Sequence, residues 1–430
     1  MYTAYIGRKL VTLYNQRKNT NLSVEAFFDT VFYPLFFDNA RYLLHVHNAL
    51  PFQHSKFASD PIKRKNTKME LHKLIQTAAP NGSTFVGAAA SGVDGTTSGQ
   101  VTSLNLGLST EDSYASWIGA GLGIGLEGGY SILIDSNEVI WATYEGWQQY
   151  RNRLIDTPNQ KGNQINTWNG VWLSHCSNRR FNSDSPMLGF DYSMFQAKGD
   201  QAGVKTQSWI KVIFALANQH PNQNLIAYVY SLGQMNKTIG FIQINLPQVK
   251  RLNEIYSHLV KLSEFEIAQQ QLEDVYDTEF SFKRACMLGS IGLQALEPSK
   301  LREIMTGKKS FKPPKDEATA ITFTIYQTWI TAMLDNKQLL EKSQEIAKHL
   351  RAFVLEDRQG KTTRKNLVDK ILDASSRKAF IENLKEAIQS GSLDDQFFDD
   401  IVTEIMFMPA DHFPLFMTLI RFKYAIESNK

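Results

Sequence analysis

Between Lys73 and Arg151 the chain contains no lysine and no arginine. A stretch that long without a cation offers no side chain to neutralise a phosphate. Its carboxylates Asp135, Glu138 and Glu145 also lack the neighbouring lysine that metal nucleases often use. Cysteine is nearly absent. Cys176 and Cys286 stand far apart in sequence, which excludes a disulfide framework and a four-cysteine zinc site. No segment reaches the roughly 18 apolar residues of a membrane span. Met1–Arg8 lacks the basic start and apolar run of a signal peptide, so a cytoplasmic protein is expected. There is no P-loop and no Gly-x-Ser-x-Gly, and adjacency in sequence does not bring His175 and Cys176 together productively. No cofactor or metal is expected.

What the cation-free stretch does hold is glycine, thirteen of the chain's 26, with the run Trp117-Ile-Gly-Ala-Gly-Leu-Gly-Ile-Gly-Leu-Glu-Gly-Gly129. Shortly after comes an amide-rich stretch, Gly162-Asn-Gln-Ile-Asn-Thr-Trp-Asn-Gly170. Glycine lets a backbone approach another surface closely, and Asn and Gln present donors and acceptors together. One reading is a surface that inspects a ligand by shape and hydrogen bonding, with Asn163, Gln164, Asn166 and Asn169 on base edges and Trp168 stacking or wedging. The other is a hydrogen-bonded turn that staples the fold. Gly123-x-Gly125-x-x-Gly128 has the spacing of a dinucleotide fingerprint. Tyr130–Ile134 after it reads as a strand rather than a helix, which argues for glycines at tight packing instead.

Charge is uneven along the chain. Residues 1–80 carry +6, 81–150 carry −7, 151–260 carry +6 and 261–430 carry −2. Lys63, Arg64 and Lys65 head a basic run, and Lys361, Arg364, Lys365 and Lys378 belong to a second. Either could follow phosphates or be ordinary solvated surface. His45 and His47 share one face of an expected strand over Leu43–Asn48, with no complementary ligand nearby. Pro34 is expected to end or kink a helix in Phe27–Phe37. Trp141, Tyr144, Trp147 and Tyr150 mark a helix over Val139–Leu154, and Leu225–Leu232 with Thr238–Leu246 a hairpin looped by Gly233–Lys237. Beyond residue 260 the pattern is helical. The fold class read from these elements is α+β, with a mixed domain over 1–260, connecting helices over 261–304 and a helical bundle over 305–430.

Several of these stretches together resemble the large subunit of type I CRISPR Cascade effector complexes, in a type I-B-like branch. They are Phe27-Phe-Asp29 with Pro34-Leu-Phe-Phe37, Thr96-Thr-Ser-Gly-Gln100, Ser116–Ile124 with Gly128–Ile132, Tyr144-Glu-Gly-Trp147, Gly162–Gly170, and Tyr228–Gln234 with Gly240-Phe-Ile242. The C-terminal 170 residues match in general character only, and a zinc ribbon found in some relatives is absent. The resemblance implies a non-catalytic subunit that recognises the protospacer-adjacent motif in duplex DNA, starts strand separation and docks an effector. It implies guide-RNA-bearing backbone subunits, double-stranded target DNA, the displaced single strand, and a helicase-nuclease or transposition factor as partners. Thr97, Ser98, Gln100, Gln234, Asn236 and Lys237 join the amide stretch as expected nucleic-acid contacts. Two other classes stay open: a nuclease with an unrecognised metal site, and a generic single-strand-binding module. Met305–Lys430 is expected to fold by itself as a piece resembling the small subunit.

Overall fold

The structure is a computed structural model that describes residues 1–45, 52, 60–77, 84–87, 107–178, 180–260, 265–356, 361–390, 393 and 395–429. The fold is α+β. The chain divides into two compact units, Met1–Pro247 with Phe282–Ile291, and Gln248–Ser281 with Gly292–Lys430. The segment 261–304, read from sequence as connecting helices, is thus shared between both.

The first unit begins with α1 (Tyr2–Lys18), closed by Asn19 in the left-handed conformation. After it come α2 (Val24–Phe27), capped by Ser23, a π-helical turn over Phe28–Phe32, and α3 (Tyr33–Phe36). Pro34 does not end the helix. It lacks an N–H and its ring crowds the preceding turn, and the backbone widens to a π turn just before it. That places Phe28, Phe32, Phe36 and Phe37 inside the core, with Phe32 and Phe36 stacked at 4.1 Å. Next are α4 (Pro61–Thr77) and α5 (Thr110–Gly121), the latter opened by a capping box of Ser109 and Asp112.

The glycine run forms the end of α5, then β1 (Ile124–Leu126) and a turn with Gly128 and Gly129 at positive φ that leads into β2 (Tyr130–Ile134). The expected aromatic helix is α6 (Asn137–Asp156), and the amide stretch is α7 (Ile165–Cys176). A two-stranded ribbon, β3 (Phe195–Lys198) and β4 (Gln201–Val204), precedes α8 (Trp209–Gln219). The expected hairpin is β5 (Asn224–Ser231) and β6 (Gln234–Asn245). Its turn is tighter than the sequence suggested, and its register shifts at Val229/Tyr230, close to Gly240 at φ 106°.

Two helices follow, α9 (Leu246–Leu259) and α10 (Phe265–Val275), before α11 (Phe282–Cys286) and β7 (Ser290–Ile291) return to the first unit. Its main sheet has the order β1-β2-β5-β6-β7, antiparallel apart from the β6–β7 pair. The strand expected over Leu43–Asn48 is not formed in its described part. Leu43 and Leu44 lie in a bend, buried, and His47 lies outside the described residues.

α1 lies along α5 at a separation that only glycine permits. A Cβ on Gly7 would sit 1.9 Å from the carbonyl oxygen of Ala115, and one on Gly119 would sit 1.9 Å from that of Thr3. The two glycines thus face each other's helices reciprocally.

The remaining helices belong to the second unit: α12 (Leu301–Met305), α13 (Glu317–Leu334), α14 (Gln338–Glu356), α15 (Lys361–Leu372), α16 (Arg377–Gln389), α17 (Asp395–Phe407) and α18 (His412–Glu427). α18 packs on α12, α13, α14 and α15 and buries Phe413, Phe416, Leu419, Ile420 and Phe422. Such a helix is apolar almost all round, as a central helix must be. Lys308–Lys315 forms an irregular connector whose Phe311 ring lies 4.3 Å from that of Phe422, tilted by 38°.

Two stability predictions follow from these contacts. Gly119→Ala should lower unfolding stability by at least about 2 kcal/mol, because the methyl overlaps backbone that cannot retreat. Gly233→Ala, with open space around its Cβ, should stay within about 1 kcal/mol of the parent. Urea titrations in which both behave alike would refute the packing argument. In the second unit, Trp329 Nε1 donates to Leu293 O at 2.7 Å and Tyr326 Oη to Ser299 O at 3.0 Å. A fragment starting at Met305 loses both acceptors. It should be less stable than one starting at Gly292 by roughly 1–3 kcal/mol per orphaned group, and equal denaturation midpoints would contradict this.

Candidate nucleic-acid interface

The amide stretch faces inward. α5 ends at Gly121, where Gly119 O and Ala120 O accept from Leu122 N and Gly123 N, and the carbonyls from Ala120 to Gly123 have room for further donors. Asn166 and Asn169 lie three residues apart on one side of α7 and supply them. Asn166 Nδ2 donates to Ala120 O and Gly123 O, both at 2.9 Å. Asn169 Nδ2 donates to Gly121 O and Gly123 O, both at 2.8 Å, and Asn169 is fully buried. Trp147 Nε1 adds a third donor, to Gly121 O at 3.1 Å. Glycines make the approach possible: a Cβ on Gly170 would lie 2.4 Å from Gly125 O, and one on Gly123 would lie 2.1 Å from Tyr230 Oη.

The other expected contacts of this stretch are similarly engaged. Gln164 Oε1 accepts from Val204 N at 3.0 Å, and Asn163 adopts φ 47° with its amide nitrogen 3.3 Å from His45 Nδ1. Trp168 is fully buried, stacked 5.3 Å from Tyr150, and donates to Gly146 O at 2.8 Å. A base therefore cannot stack on Trp168 in this conformation, and the fully buried Asn169 presents no edge to a duplex. For these two residues the base-contact reading gives way to its alternative, an internal staple, whereas Asn163, Gln164 and Asn166 are half-buried and each also makes an internal hydrogen bond. The spacing of Ile165, Trp168 and Trp172 carries the helical signal that marks this inward face.

Thr97, Ser98 and Gln100 lie outside the described residues, as do the side chains of Gln234, Asn236 and Lys361. Lys237, on β6, is exposed. In α4, Lys63 and Lys65 are exposed, whereas Arg64 Nε pairs with Asp38 at 3.1 Å. α4 is anchored by His72, whose Nε2 lies 2.7 Å from Asp29 Oδ1 and whose Nδ1 lies 2.5 Å from Tyr114 Oη. Burial and the neighbouring Glu25 push the Tyr114 hydroxyl's pKa upward, so it stays protonated near neutrality. In the second unit Arg364 donates to Phe353 O at 3.0 Å, and Lys365 and Lys378 are exposed, with Lys378 3.7 Å from Glu382.

The carboxylates of the cation-free stretch are separately engaged. Asp135 receives Lys9 from α1 and Tyr5 Oη at 2.9 Å. Glu138 accepts from Ser136 Oγ at 2.8 Å, which holds its pKa below the usual range. Glu145 accepts from Trp141 Nε1 at 2.6 Å. Among the described residues no group of three or more His, Cys, Asp or Glu is set to hold a metal ion. Burial pushes the thiols of Cys176 and Cys286 up to about 12, so neither is a thiolate at neutral pH. Among the described residues no helix is long and apolar enough to cross a membrane.

A cleft of about 660 Å³ opens beside α6, lined by Tyr14, Tyr144, Glu145, Gln148, Gln149 and Trp172 among others. The sequence reading noted Tyr144 as core and did not single out the two glutamines. Their spacing beside the aromatic stripe was the available signal. Arg151, also on α6, closes one wall and is not available to a ligand. Its guanidinium donates to Leu35 O and Arg41 O at 2.9 and 2.8 Å, and burial together with Arg41 lowers its pKa to about 10.

No known protein family, curated protein or solved structure matches the chain.

Asn169→Ala should destabilise the first unit by roughly 0.5–1.5 kcal/mol per hydrogen bond lost, since Gly121 O keeps Trp147 and Gly123 O keeps Asn166 as donors. Its effect on DNA affinity, measured on folded protein, should be the same for duplex and pre-opened targets. A loss confined to motif-bearing duplex would restore Asn169 as a base contact.

Proposed function

We propose that the chain is the non-catalytic large subunit of an RNA-guided DNA surveillance complex that recognises a short motif in duplex DNA. What carries this reading is the division of the chain: every motif of the resemblance falls within the first unit, and a helical unit follows. The exposed lysines of α4, held in place by the His72 anchor, give the first unit cations that can meet phosphates without losing an internal partner. Motif reading falls to Lys237 and to the segments around Thr97 and Gln234, because the amides of α7 are committed to the fold. Partner subunits carry the guide RNA, base pairing reads the sequence beyond the motif, and an effector is recruited afterwards. The site of action is the cytoplasm.

The test is selection from a duplex library randomised over about 4 base pairs beside a fixed target. A short motif should be enriched, and the purified chain with Mg²⁺ or Mn²⁺ should leave every duplex intact. Cleavage that follows the chain through purification, or no enrichment at all, would overturn the reading. Lys63→Ala/Lys65→Ala should weaken all duplexes alike and reduce the log–log salt slope by about 2. An unchanged slope would place these lysines away from the DNA.

A further inference from the structure

The cleft beside α6 has a chemistry that the resemblance does not account for. Its walls combine aromatic rings with polar groups that keep hydrogen-bonding capacity unused by the protein. Tyr14 and Tyr144 meet edge to face at 5.9 Å, and Trp172 meets Phe181 at 5.7 Å. Glu145 uses one oxygen to accept from Trp141, and among the described residues no cation pairs with it. Gln148 donates to Asn152 at 2.8 Å, which leaves its carbonyl oxygen available. Among the described residues the Gln149 amide and the hydroxyls of Tyr14 and Tyr144 make no hydrogen bond. Burial, Tyr14 and Glu145 push the Tyr144 hydroxyl up to about 12, so near neutrality it remains a donor. Tyr14, Tyr144 and Gln149 are half-buried polar groups without such partners, which favour a ligand that supplies them, and the exposed Glu145 and Gln148 stand at the mouth of the cleft.

The ligand's character follows from this inventory. Rings of this kind take a flat partner. The cleft offers both donors and acceptors, so a partner with both on one edge satisfies it better than a guanidinium, which only donates. The Glu145 carboxylate selects for an amine on that edge. About 660 Å³ is ample for a nucleoside. Outside the cleft, Arg17 stacks 4.5 Å from Trp141, exposed and with no carboxylate paired to it among the described residues, where a phosphate could meet it.

We propose that this cleft binds an unpaired nucleobase carrying an exocyclic amine, presented by single-stranded nucleic acid. The inference deepens the reading of the chain as a DNA-binding subunit and rests on it for the source of the base. Glu145 accepts from the amine, Gln148 and Gln149 pair with the remaining edge, and Tyr14 and Tyr144 hold the ring.

The experiment measures binding of the full chain to dC12, dA12 and dT12 by fluorescence anisotropy, with free cytidine and thymidine monophosphates in parallel. Thymine lacks the amine. dC12 or dA12 should bind roughly tenfold tighter than dT12. Glu145→Ala should bring the three within about twofold, with dT12 itself unchanged. Glu145→Gln, which keeps the size of the side chain and removes its charge, keeps the test usable if Glu145→Ala is poorly folded, and should reduce the same preference. Equal affinity of the parent for all three, or a preference that survives in both variants, would overturn the cleft assignment while leaving DNA binding intact. Binding of cytidine monophosphate without any oligonucleotide binding would keep the base site and overturn the single-strand source. Displacement of dC12 by an arginine-rich peptide in a Glu145-dependent way would reassign the cleft to a cationic side chain.

Discussion

α1 meets α5 at Gly7 and Gly119 with no side chain between the two backbones, and the rest of the first unit is arranged around that contact. Because the helices touch directly, the end of α5 is buried too, and its last carbonyls cannot turn to water. They need donors from inside the protein. α7 brings Asn166 and Asn169 against them, and its own approach again requires glycine, at Gly125 and Gly170. One close approach therefore imposes the next, from α1 through α5 to α7 and β1. The lack of lysine and arginine between 73 and 151 has a physical reading in these terms: much of the stretch is interior, and an interior without carboxylate partners has no place for a cation.

Part of the positive charge holds the fold and part stays in solvent. Several arginines face backbone carbonyls near helix ends. Arg151 donates to Leu35 O beside the end of α3, Arg41 to Thr157 O beyond α6, and Arg377 to Met408 O beyond α17. Arg421 likewise reaches Leu372 O at the end of α15. A planar fork of five donors suits clustered carbonyls, and the partial negative charge at a helix C-terminus favours a cation there. Lys63, Lys65, Lys365 and Lys378 remain in solvent, as compact charges on flexible stems. Salt screens exposed charges more than buried ones, so ionic strength acts mainly on these lysines and little on the helix ends.

The parts of the fold that were legible in sequence are those where periodicity reports burial directly. The aromatic stripe of α6, the β5–β6 hairpin and the helical pattern beyond residue 260 are of this kind. Pro34, expected to end or kink the helix, does not end it, because its missing N–H is absorbed by a π turn. The amides of α7 are the instructive case. Asn and Gln look alike whether they serve a base edge or a helix end, since both present donors to acceptors. What distinguishes the two is where the carbonyls at the end of α5 lie, and that is a fact of tertiary packing. The cleft was hidden for a related reason. Tyr14 and Tyr144 are about 130 residues apart, and nothing local to either predicts that they share a wall.

The contact between α1 and α5 also has a temporal side. Gly7 and its partner backbone at Ala115 are separated by more than 100 residues of chain. At translation rates of about 5–20 residues per second, α1 waits on the order of 5–20 s after its own synthesis before α5 exists. Through that interval Ala4, Ile6, Leu10, Val11 and Leu13, all buried in the finished protein, have no α5 to cover them. The packing that this contact organises can therefore begin only once residue 119 has been made.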